Sequence, residues 1–366
     1  MGCGNSQEKV TSSSVVLREH QGPINCIGTS EDNSLLCTGS DDQMTRMWST
    51  KTAKVECIGL LQGHSSYITC CTISDTFVIT GSEDSTIRKW SMTNLECVHI
   101  YRGHKSCVNR VISTGEFIFS SSYDATAKAW LFDFEDIAEM GSDCIKTFTG
   151  HNNALFPIIF IPSDGIPSEA CDGKININAG DTLITGSADC TARAWAFDTG
   201  ETIHVFKSVF EGHTGPISCM TTDPHGKVLF TGSSDKTIRS WSIGRGDALK
   251  TFKGHEAPVL CLHGGSRLVY SGSQDTTARA WVGEFGNNTK VYEGHGSSVT
   301  CLMAYYNRIL FTGSGDALIR VYNITTGDLM HTFKGHTATI SAITVIYEYC
   351  RKVLLLTGSW NCCTSQ

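Results

Sequence analysis

The feature that most constrains this chain is a ten-residue pattern that recurs about every 40 residues and ends in an aromatic residue. It reads GSEDSTIRKW at Trp90, GSADCTARAW at Trp195 and GSQDTTARAW at Trp281. Six of the 7 tryptophans occupy this one position, and Tyr322 occupies it in a further copy. An aspartate stands six residues earlier in each copy: Asp42, Asp84, Asp124, Asp189, Asp235, Asp275 and Asp316. A chain of this kind folds as an array of similar units.

A histidine precedes each of these aspartates, by about 20 residues in every copy except the fourth. The histidines are His20, His64, His104, His151, His213, His255 and His295, and His336 begins an eighth unit. Segments such as TIRKW and KVLFTGS alternate in polarity and are bounded by Gly, Asp and Ser, which is typical of β-strands. The SxDxT segment predicts a tight hairpin turn in which the aspartate bonds to nearby backbone. Four short strands in each unit predict an all-β fold, a β-propeller.

The pattern resembles that of the WD40-repeat family over about residues 11 to 361, although no tryptophan is followed by the aspartate of the family's name. The resemblance implies an all-β WD40 propeller of eight repeat units, seven complete and the last truncated. Closure as seven or as eight blades stays open at this stage. We expect a flexible tail at residues 1–10 and the propeller at 11–366, with insertions at about 131–145 and 161–181.

The eighth unit departs from the others. Asn361 stands where the other copies have the aspartate. In the resembled family an N-terminal strand completes the last blade, and Thr11–Leu17 is the segment expected to do so here. We expect a monomer, unless an open edge of this unit pairs with another chain.

The same resemblance assigns a structural role to the recurring polar residues. In WD40 proteins the turn aspartate, the histidine, a strand Ser or Thr and the tryptophan form a buried hydrogen-bonded tetrad. Carried onto three units of this sequence, the tetrads are His64, Thr80, Asp84 and Trp90; His104, Ser120, Asp124 and Trp130; and His213, Thr231, Asp235 and Trp241.

A hydroxyl, a histidine and an aspartate are also the members of a hydrolase triad. Catalysis needs one exposed nucleophile, whereas this set recurs in every unit. We therefore predict no catalytic residue and no enzyme activity.

Cysteine follows the repeat as well. Five of the 17 cysteines lie six residues after a repeat histidine: Cys26, Cys70, Cys219, Cys261 and Cys301. We predict that they are small buried side chains on the innermost strands. No pair has C-x-x-C spacing, so we expect no metal and no cofactor. No apolar signal sequence follows Met1, which favours free thiols in a reducing cytosol.

Composition excludes two further classes of function. The net charge is −7, and lysine and arginine do not cluster, so nucleic acid is not an expected partner. No segment approaches the roughly 20 apolar residues of a membrane span.

Propellers of the resembled family hold protein or peptide partners on a loop-lined top face. Contact residues there often stand just before the turn aspartate or five residues after the repeat histidine. The residues that we predict for this surface are Asp41, Glu83, Tyr123, Phe156, Asn109, Ser234 and Gln274. Tyr123 and Phe156 are the expected aromatic anchors, and the two carboxylates suit a basic residue of the partner.

These observations favour a non-enzymatic scaffold or adaptor that binds proteins. The alternative is a substrate-recognition subunit of a ubiquitin ligase, since many propellers have that role. Two features count against it: too few residues precede the first repeat for an F-box domain, and the W-D-x-R sequence of cullin-4-associated propellers does not occur.

The first six residues, MGCGNS, match the N-myristoylation pattern M-G-x-x-x-[ST], with Gly2 as the acceptor. One myristoyl chain binds membranes only marginally, so stable attachment needs a second signal. Palmitate on Cys3 would supply it, because only Lys9 and Arg18 carry positive charge nearby. The sequence therefore predicts a cytoplasmic protein associated with a membrane by a lipid anchor, or a cytosolic one if the motif is unused.

Overall fold

The computed structural model describes residues 19–51, 55–133, 143–163, 178, 180–207, 212–347 and 353–359. Within these ranges the chain forms 30 β-strands and no helix. Hence no described helix is long and apolar enough to cross a bilayer. The predictions for the tail, the acylation motif, Thr11–Leu17, Asn361 and most of both insertions fall outside the described residues.

The strands form seven four-stranded antiparallel sheets, each built from four consecutive strands, followed by a sheet of two strands. We call these sheets blades 1 to 8. Blades 1 to 4 are β1 (Ile24–Thr29), β2 (Leu35–Ser40), β3 (Met44–Ser49), β4 (Glu56–Gln62); β5 (Ile68–Ser74), β6 (Phe77–Ser82), β7 (Ile87–Ser91), β8 (Cys97–Tyr101); β9 (Val108–Ser113), β10 (Phe117–Ser122), β11 (Ala127–Leu131), β12 (Cys144–Phe148); and β13 (Leu155–Ile161), β14 (Thr182–Ser187), β15 (Ala192–Ala196), β16 (Thr202–Phe206).

The remaining blades continue the same order. They are β17 (Ile217–Thr222), β18 (Val228–Ser233), β19 (Ile238–Ser242), β20 (Ala248–Phe252); β21 (Val259–Gly264), β22 (Leu268–Ser273), β23 (Ala278–Val282), β24 (Asn288–Tyr292); β25 (Val299–Tyr305), β26 (Ile309–Ser314), β27 (Ile319–Asn323), β28 (Leu329–Phe333); and, in blade 8, β29 (Ile340–Tyr347) and β30 (Val353–Ser359).

The first strand of every blade is innermost. β1 packs against β5, and the contacts pass through β9, β13, β17, β21 and β25 to β29, which packs against β1. The ring therefore closes through blade 8, which the described residues form with two strands. This confirms the prediction of an all-β propeller with seven complete units and a shorter eighth.

Burial follows the position of a strand within its blade. All six residues of β10 are buried, because this second strand is covered by neighbouring blades on both faces. Of the seven residues of the outermost strand β4, only Leu61 is buried. The core therefore lies between the blades, around the ring.

A recurring close contact joins each blade to the next. A methyl group on Gly39 would lie 2.6 Å from the sulfur of Cys26 and 2.5 Å from Ile68 of blade 2, so only glycine fits there. Equivalent contacts of cysteine, glycine and a β-branched residue occur at Gly81, Gly232, Gly272 and Gly313. The structure thus places all five repeat cysteines on innermost strands.

The junction between blades 8 and 1 uses the same packing. A methyl group on Gly358 would lie 2.7 Å from Ile24, as one on Gly39 would approach Ile68. The Ser341 hydroxyl also donates a hydrogen bond to the Ile24 carbonyl. Blade 8 is therefore joined to blade 1 by the same glycine–isoleucine contact as blades 1 and 2, with Ala342 at the position of the cysteine.

One charged side chain is buried between blades 2 and 3. Lys89 is 1% exposed, and its Nζ donates to the Phe132 carbonyl over 2.6 Å. The ammonium lies 4.0 Å from the Phe77 ring centroid and 3.6 Å from that of Phe132, which are cation–π distances. Desolvation lowers the pKa of Lys89, and the nearby Asp133 carboxylate opposes that shift.

Candidate functional site

The structure brings together the four side chains predicted for each of the three tetrads. In blade 2, His64 Nδ1 lies 2.8 Å from Asp84 Oδ2, and His64 Nε2 lies 2.8 Å from the Thr80 hydroxyl. Trp90 Nε1 donates to the same hydroxyl over 2.8 Å. Burial lowers the pKa of His64, which favours a neutral ring that donates from Nδ1 and accepts at Nε2.

Blades 3 and 5 have the same geometry. The distances from His104 to Asp124 and Ser120 are 2.8 and 2.7 Å, and Trp130 donates over 2.9 Å. In blade 5 the histidine lies 2.8 Å from both partners, and the indole donates over 2.9 Å, the residues being His213, Asp235, Thr231 and Trp241. Blades 1, 4 and 6 repeat the arrangement.

Blade 7 departs from this pattern because Tyr322 replaces tryptophan. The phenol donates to the Glu293 carbonyl over 2.9 Å instead of to the strand hydroxyl. Arg320 lies 3.0 Å from Asp316, so a guanidinium joins the histidine and the carboxylate in this blade.

The tetrad has the connectivity of a hydrolase triad: hydroxyl to histidine to carboxylate. The Thr80 hydroxyl, however, belongs to a side chain with 0% exposure, and the Trp90 N–H occupies one of its acceptor positions. A substrate carbonyl cannot reach this oxygen. Among the described residues, no group of three or more His, Cys, Asp or Glu side chains is placed to hold a metal ion.

The turn aspartates make the fold sensitive to acid. Burial alone would raise the pKa of Asp84, but hydrogen bonds from His64, Thr86 and the Ser65 amide lower it well below the usual value. The same holds for Asp124, Asp189, Asp235 and Asp275, and the pKa of Asp316 falls to about 2.

Carboxylates with depressed pKa values stabilise the folded state above the unfolded pKa, about 4, and this contribution is lost as the pH falls. We therefore expect the free energy of unfolding to drop by on the order of 5 kcal/mol between pH 5 and pH 3. Urea titrations at several pH values, followed by tryptophan fluorescence, measure this change. If the unfolding free energy did not change over this range, the turn aspartates would not have lowered pKa values in the folded state.

The segments that carry the repeat histidines and the turns before the third strands lie at one end of the ring, which we call the top face. The backbone amide of each turn residue donates to a carbonyl of the histidine segment, as Glu83 does to Tyr67 over 3.1 Å. Equivalent bonds fix Asp41, Tyr123, Ser234 and Gln274. All five of these side chains are exposed on the top face.

Each of blades 1 to 4 carries an aromatic or acidic residue on this face. The ring of Tyr123, 53% exposed, meets that of Phe156 edge-on with centroids 5.5 Å apart. Burial and then the Glu83 carboxylate raise the pKa of Tyr67 to about 12, and Asp41 also acts on this phenol. We call Asp41, Tyr67, Glu83, Tyr123 and Phe156 the aromatic–acidic patch.

Asn109 has a different environment from the other predicted surface residues. Its amide donates to the Leu155 carbonyl over 2.5 Å and so joins blade 3 to blade 4. Thr69, Ser218 and Thr300, at the same repeat position, also donate to the next blade. This position therefore stabilises the ring, and a role of Asn109 in binding stays a prediction.

The repeats that form these blades match the model of a known protein family. The family model described as WD domain, G-beta repeat matches residues 11–49, 55–91, 95–130, 204–242, 246–281 and 286–323, more than half of the chain. The chain belongs to the WD40-repeat family. The units around Trp195 and Trp360 lie outside the matched ranges, although the former has a complete tetrad.

Curated relatives have similar repeats. Human WD repeat-containing protein 86 is 40% identical over 226 residues, which are 62% of this chain and 54% of that protein. The chain therefore spans about half the length of this relative. In the sequence, the segment SSSYD indicates the similarity to this protein. WD repeat-containing protein pop1 of Schizosaccharomyces pombe is 27% identical over 57% of this chain and 24% of that protein.

Two solved structures show the same fold. Sqt1 of Saccharomyces cerevisiae superposes with a TM-score of 0.81 at 16% identity, covering 94% of this chain and 95% of that one. The computationally designed protein Ika8 has a TM-score of 0.75 at 23% identity, covering 93% and 94% of the two chains. At these identities the likeness concerns the fold alone.

Sequence reasoning missed Tyr67 on the top face and Arg110 on the innermost strand β9. Tyr67 stands three residues after His64, a position with no constant residue type in the repeats, so nothing marked it. Arg110 stands six residues after His104, where five other repeats have cysteine. That single exception was the available signal.

Proposed function

We propose that this WD40 protein is a non-enzymatic scaffold that binds protein segments on the aromatic–acidic patch. The observation that supports this most strongly is the exposed Tyr123 ring, which a rigid blade holds against Phe156 on the same face as the exposed Asp41 and Glu83 side chains. Rigid aromatic side chains lose little conformational entropy on binding and are common hot spots. A partner segment with an apolar and a basic residue would complement the patch.

Lipid attachment is the second part of the proposal. Myristate on Gly2 and palmitate on Cys3 would place the propeller at the cytoplasmic face of a membrane, where it would concentrate its partners. The support is the MGCGNS motif together with the known need for two membrane signals. An untethered cytosolic adaptor is the outcome if the motif is not modified.

Selection from a random-peptide phage library on the purified protein tests the binding surface. We expect enriched peptides whose dissociation constant increases at least tenfold on Tyr123→Ser, because a central aromatic anchor is lost. Tyr306→Ser is the matched control, since Tyr306 is 73% exposed in the turn between β25 and β26, at the other end of the ring. Peptides that respond only to the control, or a selection that enriches none, would contradict the proposal.

A further inference from the structure

The third residue of β9 breaks a packing rule that the other blades follow. In blade 2 the equivalent residue is Cys70, whose sulfur fills the space beside Gly81. In blade 4 Pro157 occupies the corresponding space beside Gly186. Blade 3 has Arg110 in place of the cysteine and Ser121 in place of the glycine, and these two residues face each other in the strand pairing.

The two replacements belong together. A Cβ at the glycine position would come within 2.6 Å of the cysteine sulfur in blade 2, so a serine there excludes that packing. Ser121 instead donates its hydroxyl to the Phe156 carbonyl over 2.9 Å. Arg110 is exposed, whereas Cys26 and Cys70 are buried at the equivalent positions.

Arg110 is the only Arg, Lys, Asp or Glu on the eight innermost strands β1, β5, β9, β13, β17, β21, β25 and β29. Among the described residues no carboxylate lies within ion-pair distance of its guanidinium. Burial raises the pKa of Cys70 to about 12 and also that of Cys26, while the positive charge of Arg110 acts in the opposite direction on both. The guanidinium therefore lies close enough to β1 and β5, the innermost strands of blades 1 and 2, to act on their cysteines electrostatically.

The aromatic residues of the patch adjoin the start of β9, the strand that carries this cation. Arg110 follows Asn109, whose amide reaches the Leu155 carbonyl directly before Phe156. Tyr123 is held by the carbonyl of Cys107, three residues before Arg110. The strand that carries the cation is thus hydrogen-bonded to the segment before Phe156, and the segment before it to the turn that carries Tyr123.

We infer that the Arg110 guanidinium receives a carboxylate side chain of the bound protein segment, an inference that rests on the proposed binding function of the patch. A guanidinium pairs with a carboxylate through two parallel hydrogen bonds, and water is displaced from both at the mouth of the ring. The partner segment then carries an acidic residue beside its apolar anchor. Its basic residue then pairs with Asp41 or Glu83, as in the proposed function.

The peptides selected from the phage library test whether Arg110 pairs with an acidic residue of the bound segment. We expect them to carry Asp or Glu at a fixed spacing from an aromatic or aliphatic residue. Replacing that acid with its amide should weaken binding to the wild type at least fivefold. The same replacement should have no effect on the Arg110→Gln variant, because the pair is then already broken.

Arg102→Gln is the matched control, since Arg102 is also exposed but lies in the segment between blades 2 and 3, outside the innermost strands. It should leave the effect of the amide replacement unchanged. Peptides that depend on Tyr123 but show no coupling to Arg110 would overturn this inference and leave the proposed function standing. A selection that enriches no peptide would overturn both.

Discussion

The Asp124→Ala variant is expected to lose about 2–4 kcal/mol of unfolding free energy. The carboxylate accepts four hydrogen bonds, from His104 Nδ1, the Lys105 amide, and the amide and hydroxyl of Thr126, all at 2.6–2.9 Å. Its side chain is 8% exposed, so water cannot replace all of these acceptors. The buried donors left without partners account for most of the expected loss.

Urea denaturation followed by tryptophan fluorescence measures this effect, because Trp130 belongs to the same tetrad. Asp247→Ala is the control: Asp247 is 63% exposed and pairs with Arg245 at the surface, so its loss should change stability by about 0.5 kcal/mol or less. Equal stability of the Asp124→Ala variant and the wild type would show that the blade 3 tetrad does not stabilise the fold.

The second large effect concerns location. Gly2→Ala is expected to abolish incorporation of alkyne-myristate and to move the protein from the membrane fraction to the soluble fraction. Without the myristoyl chain the protein would lose both that chain's membrane affinity, about 10⁴ M⁻¹, and the first attachment that brings Cys3 to the membrane. Labelling and fractionation of the same cells measure both consequences.

Cys3→Ser separates the two lipid signals. This variant should keep the myristate label yet appear largely in the soluble fraction, since one chain binds only marginally. A wild type that takes up no label and remains soluble would disprove the tether, and the protein would then be a cytosolic scaffold. That result would leave the binding surface of blades 1 to 4 unaffected.

The sequence predicts the recurring parts of this molecule well. The WD40 resemblance implies the tetrads, and because each of their residue types returns at a fixed spacing, the same expectation applies to several units of one chain. Strand positions follow for the same reason. The five repeat cysteines also illustrate this, since their shared position after the histidine is enough to place them on innermost strands.

Single exceptions to the repeat are harder to interpret. Lys89 occupies a strand position that alternation marks as buried, and its two aromatic partners, Phe77 and Phe132, are brought to it only by the packing of two blades. The role of Arg110 depends on Ser121 in a neighbouring strand. The WD40 resemblance predicts Asn109 on the binding surface, whereas in the structure its amide donates to a carbonyl of blade 4. Such pairings require the tertiary structure.

The closing junction has a kinetic consequence. The hydrogen bond from Ser341 to Ile24 spans 317 residues, whereas that from Thr69 to Val108 spans 39. Loop entropy grows only with the logarithm of loop length, so the long junction costs about 2 kcal/mol more than a local one. Blades can therefore assemble from neighbour to neighbour, with the seam between blades 8 and 1 as the last junction to form. No short chain segment links β29 directly to β1, so we expect this junction to open more readily than the junctions between consecutive blades.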